Sequence, residues 1–321
     1  MKAIVSRGYG SPDGLELCDV DKPDLSEDGV LLRVRAASVN PYDWHMMRGH
    51  PYFVRLGEGL RRPKHEVLGV DVAGEVEAVG ASVMELRPGD EVFGGRVRAF
   101  AEYVCGPERN FVRKPAALSF EQAAAIPVAG CTALQALRDH GELRPGQRVL
   151  INGAAGGVGT FAVQMAKAFG GEVTAVCSTR NVELVRSLGA DDVVDYTAED
   201  FSRRGQRYDL VVDLVGNRSL RALRRALTPE GALVIAGGGH GRVIGPLALP
   251  IAAVLRNRFV KQRLVPFMTK LGKDDLATIV ELIEAGQVTP VVERSYPLGE
   301  APEAIRHVEH GHARGKVVIT V

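Results

Sequence analysis

The 321-residue chain is short of three things, and each shortage removes a class of protein. Only four cysteines occur, Cys18, Cys105, Cys131 and Cys177, far apart and with no C-x-x-C pair. That spacing supports neither a disulfide framework nor a structural zinc cluster, and it fits the reducing cytoplasm. Surplus charge is missing too: 40 Lys and Arg against 39 Asp and Glu leave a formal net charge of +1. A nucleic-acid binder would carry a basic stripe, whereas the small cluster RRPK, Arg61 to Lys64, reads as a solvated loop. Long apolar runs are absent. The start, MKAIVSRGYG, has no apolar stretch behind its lysine, so neither a secretory signal nor a transit peptide is expected. The longest run, VIGPLALPIAAVL from Val243 to Leu255, is too short to span a bilayer and holds two prolines. It reads as a buried or lid segment, and no membrane partner is expected.

What is present describes a folded chain with room for two domains: 45% hydrophobic and 25% charged residues. A chain of this length buries roughly 75% of its extended surface, so it needs no metal or disulfide staple. Composition changes near residue 120. Before it lie short β-rich runs such as GVLLRVRAASV and GVDVAGEVEAVG, broken by Gly and Pro. After it, QRVLIN, EVTAVCS, YDLVVDLVG and GALVIAGGG are continuous apolar runs of strand length. Runs without alternation suit strands covered on both faces, with crossover helices between them. The spacing predicts a helix in KDDLATIVELIEAG and a closing strand in KVVITV, in a tail of β-rich flavour that folds back onto the first part.

Glycines mark the chemistry. RVLIN runs into AAGGVG and then into a helical pattern, the context that a dinucleotide fingerprint requires. Against G-x-G-x-x-G the register is Ala154, Gly156, Gly159, so the first glycine is an alanine. Gly156 lets the backbone approach a pyrophosphate, and Gly159 lets the helix pack close to the strand. The stretch Ala155, Gly156, Gly157, Val158, Gly159 offers N–H groups to the anion. A tight turn without a ligand is the bland alternative. The next strand ends in Ser178, Thr179 and Arg180, where an NAD site would place an acid on the ribose. Arg180 can pair bidentately with a phosphate that a carboxylate would repel, which predicts NADPH over NADH. Otherwise Arg180 is an ordinary loop arginine.

With these residues placed, the chain resembles the medium-chain dehydrogenase/reductase superfamily, in its zinc-independent quinone oxidoreductase branch. The likeness runs through SVNPYDWHMMRG, LGVDVAGEVEAVG, RPGDEVFG, AAAIPVAGCTALQAL, AAGGVG and GHARGKVVITV. It implies an α/β fold: a GroES-like β domain from residues 1–122 and 270–321, plus a Rossmann domain with a doubly wound parallel sheet from residues 123–269. It also implies further cofactor contacts: Asn40 by way of the ribose, Thr132 near the nicotinamide, Tyr196 near the adenosine phosphate, then Leu214, Val215 and Gly216, and Ala236, Gly237 and Gly238 after the following strands. Lys316 in RGKVV would lie near the cofactor phosphates, unless it is a plain edge lysine. A homodimer through edge strands of the nucleotide domains is expected on the same ground.

Zinc-dependent relatives take ligands from positions that, by motif register, hold Asn40, Val70 and Val128 here, and two valines offer a metal nothing. His65 in HEVLG mimics a ligand motif five residues off register, and Cys131 is also off position. No metal is therefore expected. Without one, hydride transfer relies on hydrogen bonds, which suits a quinone or an α,β-unsaturated carbonyl. Asn40 is the expected donor to the substrate oxygen or the ribose. Tyr42 and Tyr52 are candidates for oxygen contacts or proton delivery, Asp43 acts from behind them, and His45 falls where a proton relay would sit. Each has a bland reading: Asn40 before Pro41 as a turn residue, Trp44 as a core anchor, the others as packing. Other functions stay open: a reductase of 2-alkenals or enoyl thioesters, or a crystallin-like or regulatory NADPH binder with little turnover. The segment His240 to Phe267 is expected to cover the substrate.

Overall fold

The computed structural model describes residues 1–95, 98–237, 245–311 and 313–321. In chain order the strands among them are β1 (Lys2–Ser6), β2 (Leu15–Asp19), β3 (Gly29–Val39), β4 (Asp71–Val79), β5 (Glu91–Gly94), β6 (Tyr103–Pro107) and β7 (Phe111–Arg113). Beyond these come β8 (Arg148–Asn152), β9 (Glu172–Cys177), β10 (Asp192–Asp195), β11 (Tyr208–Asp213), β12 (Leu227–Ile235), β13 (Arg263–Pro266), β14 (Val292–Pro297) and β15 (Lys316–Thr320). The chain divides into two compact units. One comprises Met1–Val128, Leu271–Val280 and Pro290–Val321; the other comprises Ala129–Lys270 and Glu281–Thr289.

The first unit is the GroES-like one, a seven-stranded sheet in the order β14-β15-β3-β4-β5-β7 with β6 also paired to β3. The long strand β3 is its axis. It meets β15, β4 and β6, and of its eleven residues only Arg33 is exposed. Val30, Leu32, Val34, Val72, Val76, Val92, Phe100 and Phe111 pack into the core beside it. The C-terminal tail does fold back: β15 inserts between β14 and β3. It is an interior strand, so Lys316 is no edge lysine. Strand register does the rest: Val317 pairs with Val39 on β3, and Ser38 on β3 pairs with Asp71 on β4. Three strand ends that lie far apart in sequence are thereby aligned.

The second unit holds six parallel strands in the order β10-β9-β8-β11-β12-β13, the doubly wound order of a dinucleotide-binding sheet. Every residue of β8 except the first is buried, which is why its sequence lacks alternation. Direction of winding reverses between β8 and β11, and ligands of open α/β sheets gather at the carboxyl ends of such a pair.

The observed bounds differ in detail from the expected ones. The seam falls at Val128 rather than at residue 122, because the short helix Phe120–Ala124 still packs on β3 and β4. Residues 281–289 go with the second unit, where the Gln164 amide exchanges two hydrogen bonds with the Thr289 backbone, at 3.0 and 2.9 Å. In the apolar run from Val243 to Leu255, residues 243 and 244 lie outside the described residues. The rest belongs to a helix, Gly245–Asn257, along which Ala253 is buried while Leu247, Ile251, Val254 and Leu255 are exposed. Of the two readings, buried or lid, the buried one fails among the described residues of this run.

Candidate active site

In the GroES-like unit, β3 ends at Asn40 because Pro41 opens the helix Pro41–Arg48, taking the first helical position where a missing N–H costs nothing. Asn40 is the N-cap, and its backbone N–H donates to Asp43 Oδ2 at 2.7 Å. Its side chain also bonds partners outside the helix. Nδ2 donates to Asp71 Oδ2 at 2.9 Å and, more weakly, to the Ser38 carbonyl at 3.4 Å, while Oδ1 accepts from Lys316 Nζ at 2.6 Å. Ser38 Oγ also donates to Asp71 Oδ2 at 2.9 Å, and the Val128 N–H donates to Asp71 Oδ1 at 3.1 Å. Asn40, Asp43, Asp71 and Lys316 are all buried.

The cluster confines two carboxyl groups with one ammonium. Burial pushes Asp43 up to about 7, against the pull of the Asn40 N–H. Burial also raises Asp71, and the Lys316 charge opposes that rise. Lys316 is lowered by the same burial and supported by Asp71 and Asp43. Asn40, expected to donate to a substrate oxygen, is thus committed to Asp71, Ser38 and Lys316, and is 2% exposed. Lys316, expected near the cofactor phosphates, has its Nζ in this cluster.

Tyr42 and Tyr52 are different: both rings are nearly half-exposed. Partial burial, helped by the negative charges of Glu58 and Asp43, raises the Tyr42 phenol above its ordinary value. It stays protonated at neutral pH and can donate a hydrogen bond. Tyr52 meets the His50 ring edge-on, with the Arg55 guanidinium over its face. His45 Nδ1 is 2.9 Å from the His50 carbonyl, and its ring stacks on Trp44, which packs against the core as expected.

In the second unit, β8 leads through Gly153 to the helix Gly157–Ala168, whose N-cap is Gly156. A Cβ on Gly159 would lie 2.1 Å from the Gly153 carbonyl oxygen, so glycine there is what lets helix and strand close. A Cβ on Gly156 would meet nothing nearer than 3.5 Å. That neighbour is the Gly153 carbonyl oxygen at ordinary contact distance, so packing alone does not demand a glycine here. Ala155 is buried; Gly156, Gly157 and Val158 are half-buried. The amides of the first turn lack intrahelical acceptors and carry the positive end of the helix dipole, so the corner fits a pyrophosphate.

At the end of β9, Ser178 is half-buried and Thr179 and Arg180 are exposed. Thr179 Oγ1 donates to Asp195 Oδ2 at 2.6 Å, and hydroxyl donors on Thr179 and Thr197 hold Asp195 below the usual carboxylate range. Tyr196 follows at 38% exposure. Leu214, Val215 and Gly216 leave the end of β11, and Ala236 and Gly237 the end of β12, all half-buried. Asp213 ties these two strand ends together: its carboxylate accepts from Asn152, Val215 and Gly216, and its carbonyl from Ala236 and Gly237. Thr132 is buried, its hydroxyl 2.6 Å from that of Thr269. Gly238 lies outside the described residues.

Asp71, Asp195 and Asp213 were missed from sequence. Each ends or begins a strand at a carboxyl-end crest or beside Asn40, so an acid at a strand terminus was the available signal.

The family model for the alcohol dehydrogenase GroES-like domain matches residues 26–116, and that for zinc-binding dehydrogenase matches residues 188–319. The chain is 34% identical to the chloroplast envelope quinone oxidoreductase homolog of Arabidopsis thaliana, covering 99% of this chain and 98% of that protein. It is 37% identical to the mitochondrial NAD(P)H oxidoreductase RTN4IP1 of Mus musculus, covering 91% and 81%. Among solved structures, the quinone oxidoreductase from Coxiella burnetii superposes with a TM-score of 0.87 at 32% identity, over 100% of this chain and 99% of that one. A mycobacterial protein complexed with NADPH gives 0.85 at 27% identity, over the full length of both.

One of those family descriptions names zinc. The groups around Asp71 do not fit that ion: Asn40 offers an amide, Val70 and Val128 offer no side-chain donor, and the Lys316 ammonium already stands 3.5 Å from the carboxylate. Among the described residues, no group of three or more His, Cys, Asp or Glu is placed to hold a metal.

Proposed function

Because the chain belongs to the medium-chain dehydrogenase/reductase superfamily, in its zinc-independent quinone oxidoreductase branch, we propose that it is an NADPH-dependent reductase of quinones or α,β-unsaturated carbonyls that works without zinc. The observation that carries this reading is a buried Asn40–Asp71–Lys316 cluster where a metal-dependent enzyme would need thiolates and imidazoles. With no Lewis acid, the acceptor must be one whose conjugation already spreads the incoming charge, and hydrogen bonds suffice to steady its oxygen. When bound, NADPH supplies the hydride.

The residues divide the remaining work. Gly156, Gly157, Val158 and Gly159 receive the pyrophosphate on backbone amides, with Ala155 shaping the turn. Arg180, with Ser178 and Thr179, takes the 2′-phosphate, and the Tyr196 ring lines the adenosine end. Leu214 to Gly216, Ala236, Gly237 and Thr132 bound the rest of the cofactor. Tyr42 donates a hydrogen bond to the acceptor oxygen, with Tyr52 beside it. Asn40 and Asp43 hold the start of the Tyr42 helix rather than touch the acceptor. The protein is proposed to act as a homodimer in the cytoplasm.

Nicotinamide absorbance followed against 1,4-benzoquinone, 9,10-phenanthrenequinone, enones and 2-alkenals tests the reaction. Turnover with quinones in the presence of chelator, faster with NADPH than with NADH, is expected. Turnover confined to 2-alkenals or thioesters moves the substrate class, and tight NADPH binding with no turnover on any acceptor overturns the enzyme reading. Arg180→Ala is expected to weaken NADPH binding by about tenfold or more while leaving NADH little changed, as the loss of a charge-assisted hydrogen bond to phosphate requires.

A further inference from the structure

Lys316 is a rare object, a lysine 4% exposed in the interior of a sheet. Its ammonium has three N–H donors and no acceptor. Three oxygens face it: Asn40 Oδ1 at 2.6 Å, the Val39 carbonyl at 3.3 Å and Asp71 Oδ2 at 3.5 Å. Donors and acceptors match in number, and the partners come from adjacent strand ends aligned by the β15–β3–β4 register. Across the cluster, Asp71 Oδ2 gathers Ser38 Oγ and Asn40 Nδ2, and Oδ1 takes the Val128 amide.

We infer that Lys316 is the built-in cation of this site, a positioning residue that holds the Asn40 carboxamide in one orientation and, through it, the start of the helix that carries Tyr42. The amide is held between an obligate donor and an obligate acceptor, so its oxygen faces Lys316 and its nitrogen faces Asp71. Flipping it would set N–H against ammonium and oxygen against carboxylate. Asn40 is also the N-cap, and its N–H is fixed by Asp43, so a settled Asn40 settles the first turn, in which Tyr42 is the second residue. A protein cation thus does the organising that zinc would do in a metal enzyme. It polarises no substrate itself. The effect on turnover rests on the function proposed above; the effect on Asn40 does not.

The test compares three forms of the full chain: wild type, Lys316→Met, and the double variant Lys316→Met with Asp71→Asn. The double variant removes both charges together, which avoids an unpaired buried carboxylate and preserves folding if the single variant fails. The first readout is the Asn40 side-chain amide, observed by NMR in 15N-asparagine-labelled protein without cofactor. In wild type its two protons should be separated and slow to exchange with water; in the folded double variant they should exchange at least about tenfold faster. The second readout is kinetic. The double variant should keep its NADPH dissociation constant within about twofold and lose about tenfold or more in kcat on the acceptor, with no rescue by zinc. Unchanged Asn40 exchange in a folded double variant overturns the inference, as does wild-type kcat. Weakened NADPH binding with Asn40 intact also overturns it and returns Lys316 to the cofactor phosphates. If wild type turns over no acceptor, the proposed reaction fails while the Asn40 measurement still decides the role of Lys316.

Discussion

The glycine corner after β8 and the ion cluster at the ends of β15, β3 and β4 both prepare the protein for charge, by opposite means. The corner uses backbone alone: glycines clear space, and the amides of one helix start supply a weak positive field. It can form from about twenty consecutive residues of strand, turn and helix. The cluster uses formal charges in the interior, on Asp71 and Lys316 with Asn40 between them, and 276 positions separate its two ends. The first device is simple to build. The second is demanding and intolerant of a missing member, because each buried charge relies on the others.

The sharpest way to break that contrast is to remove one charge from the cluster. Asp71→Ala leaves the Lys316 ammonium buried without its counter-charge and removes the acceptor of Ser38, Asn40 and Val128. Breaking a buried pair from one side costs about 3–5 kcal/mol. Urea denaturation should show a loss of that order, and the double variant with Lys316→Met should recover much of it. If Asp71→Ala is as stable as wild type, the cluster is not a coupled unit.

Asp43 tests the same cluster through pH. Its carboxyl is raised from the ordinary 3.8 to about 7 in the folded protein. The folded state therefore holds the proton more tightly than the unfolded chain. The resulting stabilisation is complete below about pH 4 and is lost as pH climbs through about 7, a change on the order of a few kcal/mol. Asp71 and Lys316 belong to the same buried cluster and titrate on their own account. The measurement is therefore the difference between wild type and Asp43→Asn, which keeps an acceptor for the Asn40 N–H and cannot ionise. That difference should bend between pH 4 and 7; a flat one means that Asp43 is not held in its acid form.

How much of this was legible in the chain depends on the same contrast. The glycine corner, the parallel sheet and the basic end of β9 were readable, because each is decided by residues that are neighbours in sequence. The position of Asn40 was readable but its duty was not: nothing local says that its amide faces inward to Lys316. Lys316 itself read as an edge lysine or a phosphate contact, since only the insertion of β15 between β14 and β3 brings it beside Asn40. Asp71 was hidden for the same reason, in a strand whose apolar pattern drew attention away from its first residue. The seam lies at Val128, six residues past the expected boundary at 122, because composition changes before packing does.

Returning to the corner, Gly159→Ala comes next in size. A methyl 2.1 Å from the Gly153 carbonyl oxygen forces helix and strand apart, an overpacking cost of about 1–3 kcal/mol. Thermal unfolding should register it, and NADPH binding should weaken as the amides move.

Gly156→Ala should have the smallest effect on stability and the most informative one on binding. Its backbone angle of φ −79° suits any residue, and the added methyl finds no protein atom within 3.5 Å. Unfolding free energy should stay within about 0.5 kcal/mol of wild type. If a pyrophosphate approaches the backbone at this glycine, the same methyl must collide with the ligand, and NADPH affinity should fall by about tenfold or more while the fold is untouched. An alanine here that binds NADPH as well as glycine does would mean that the corner closes on itself and holds no dinucleotide, and the backbone half of the contrast would fall with it.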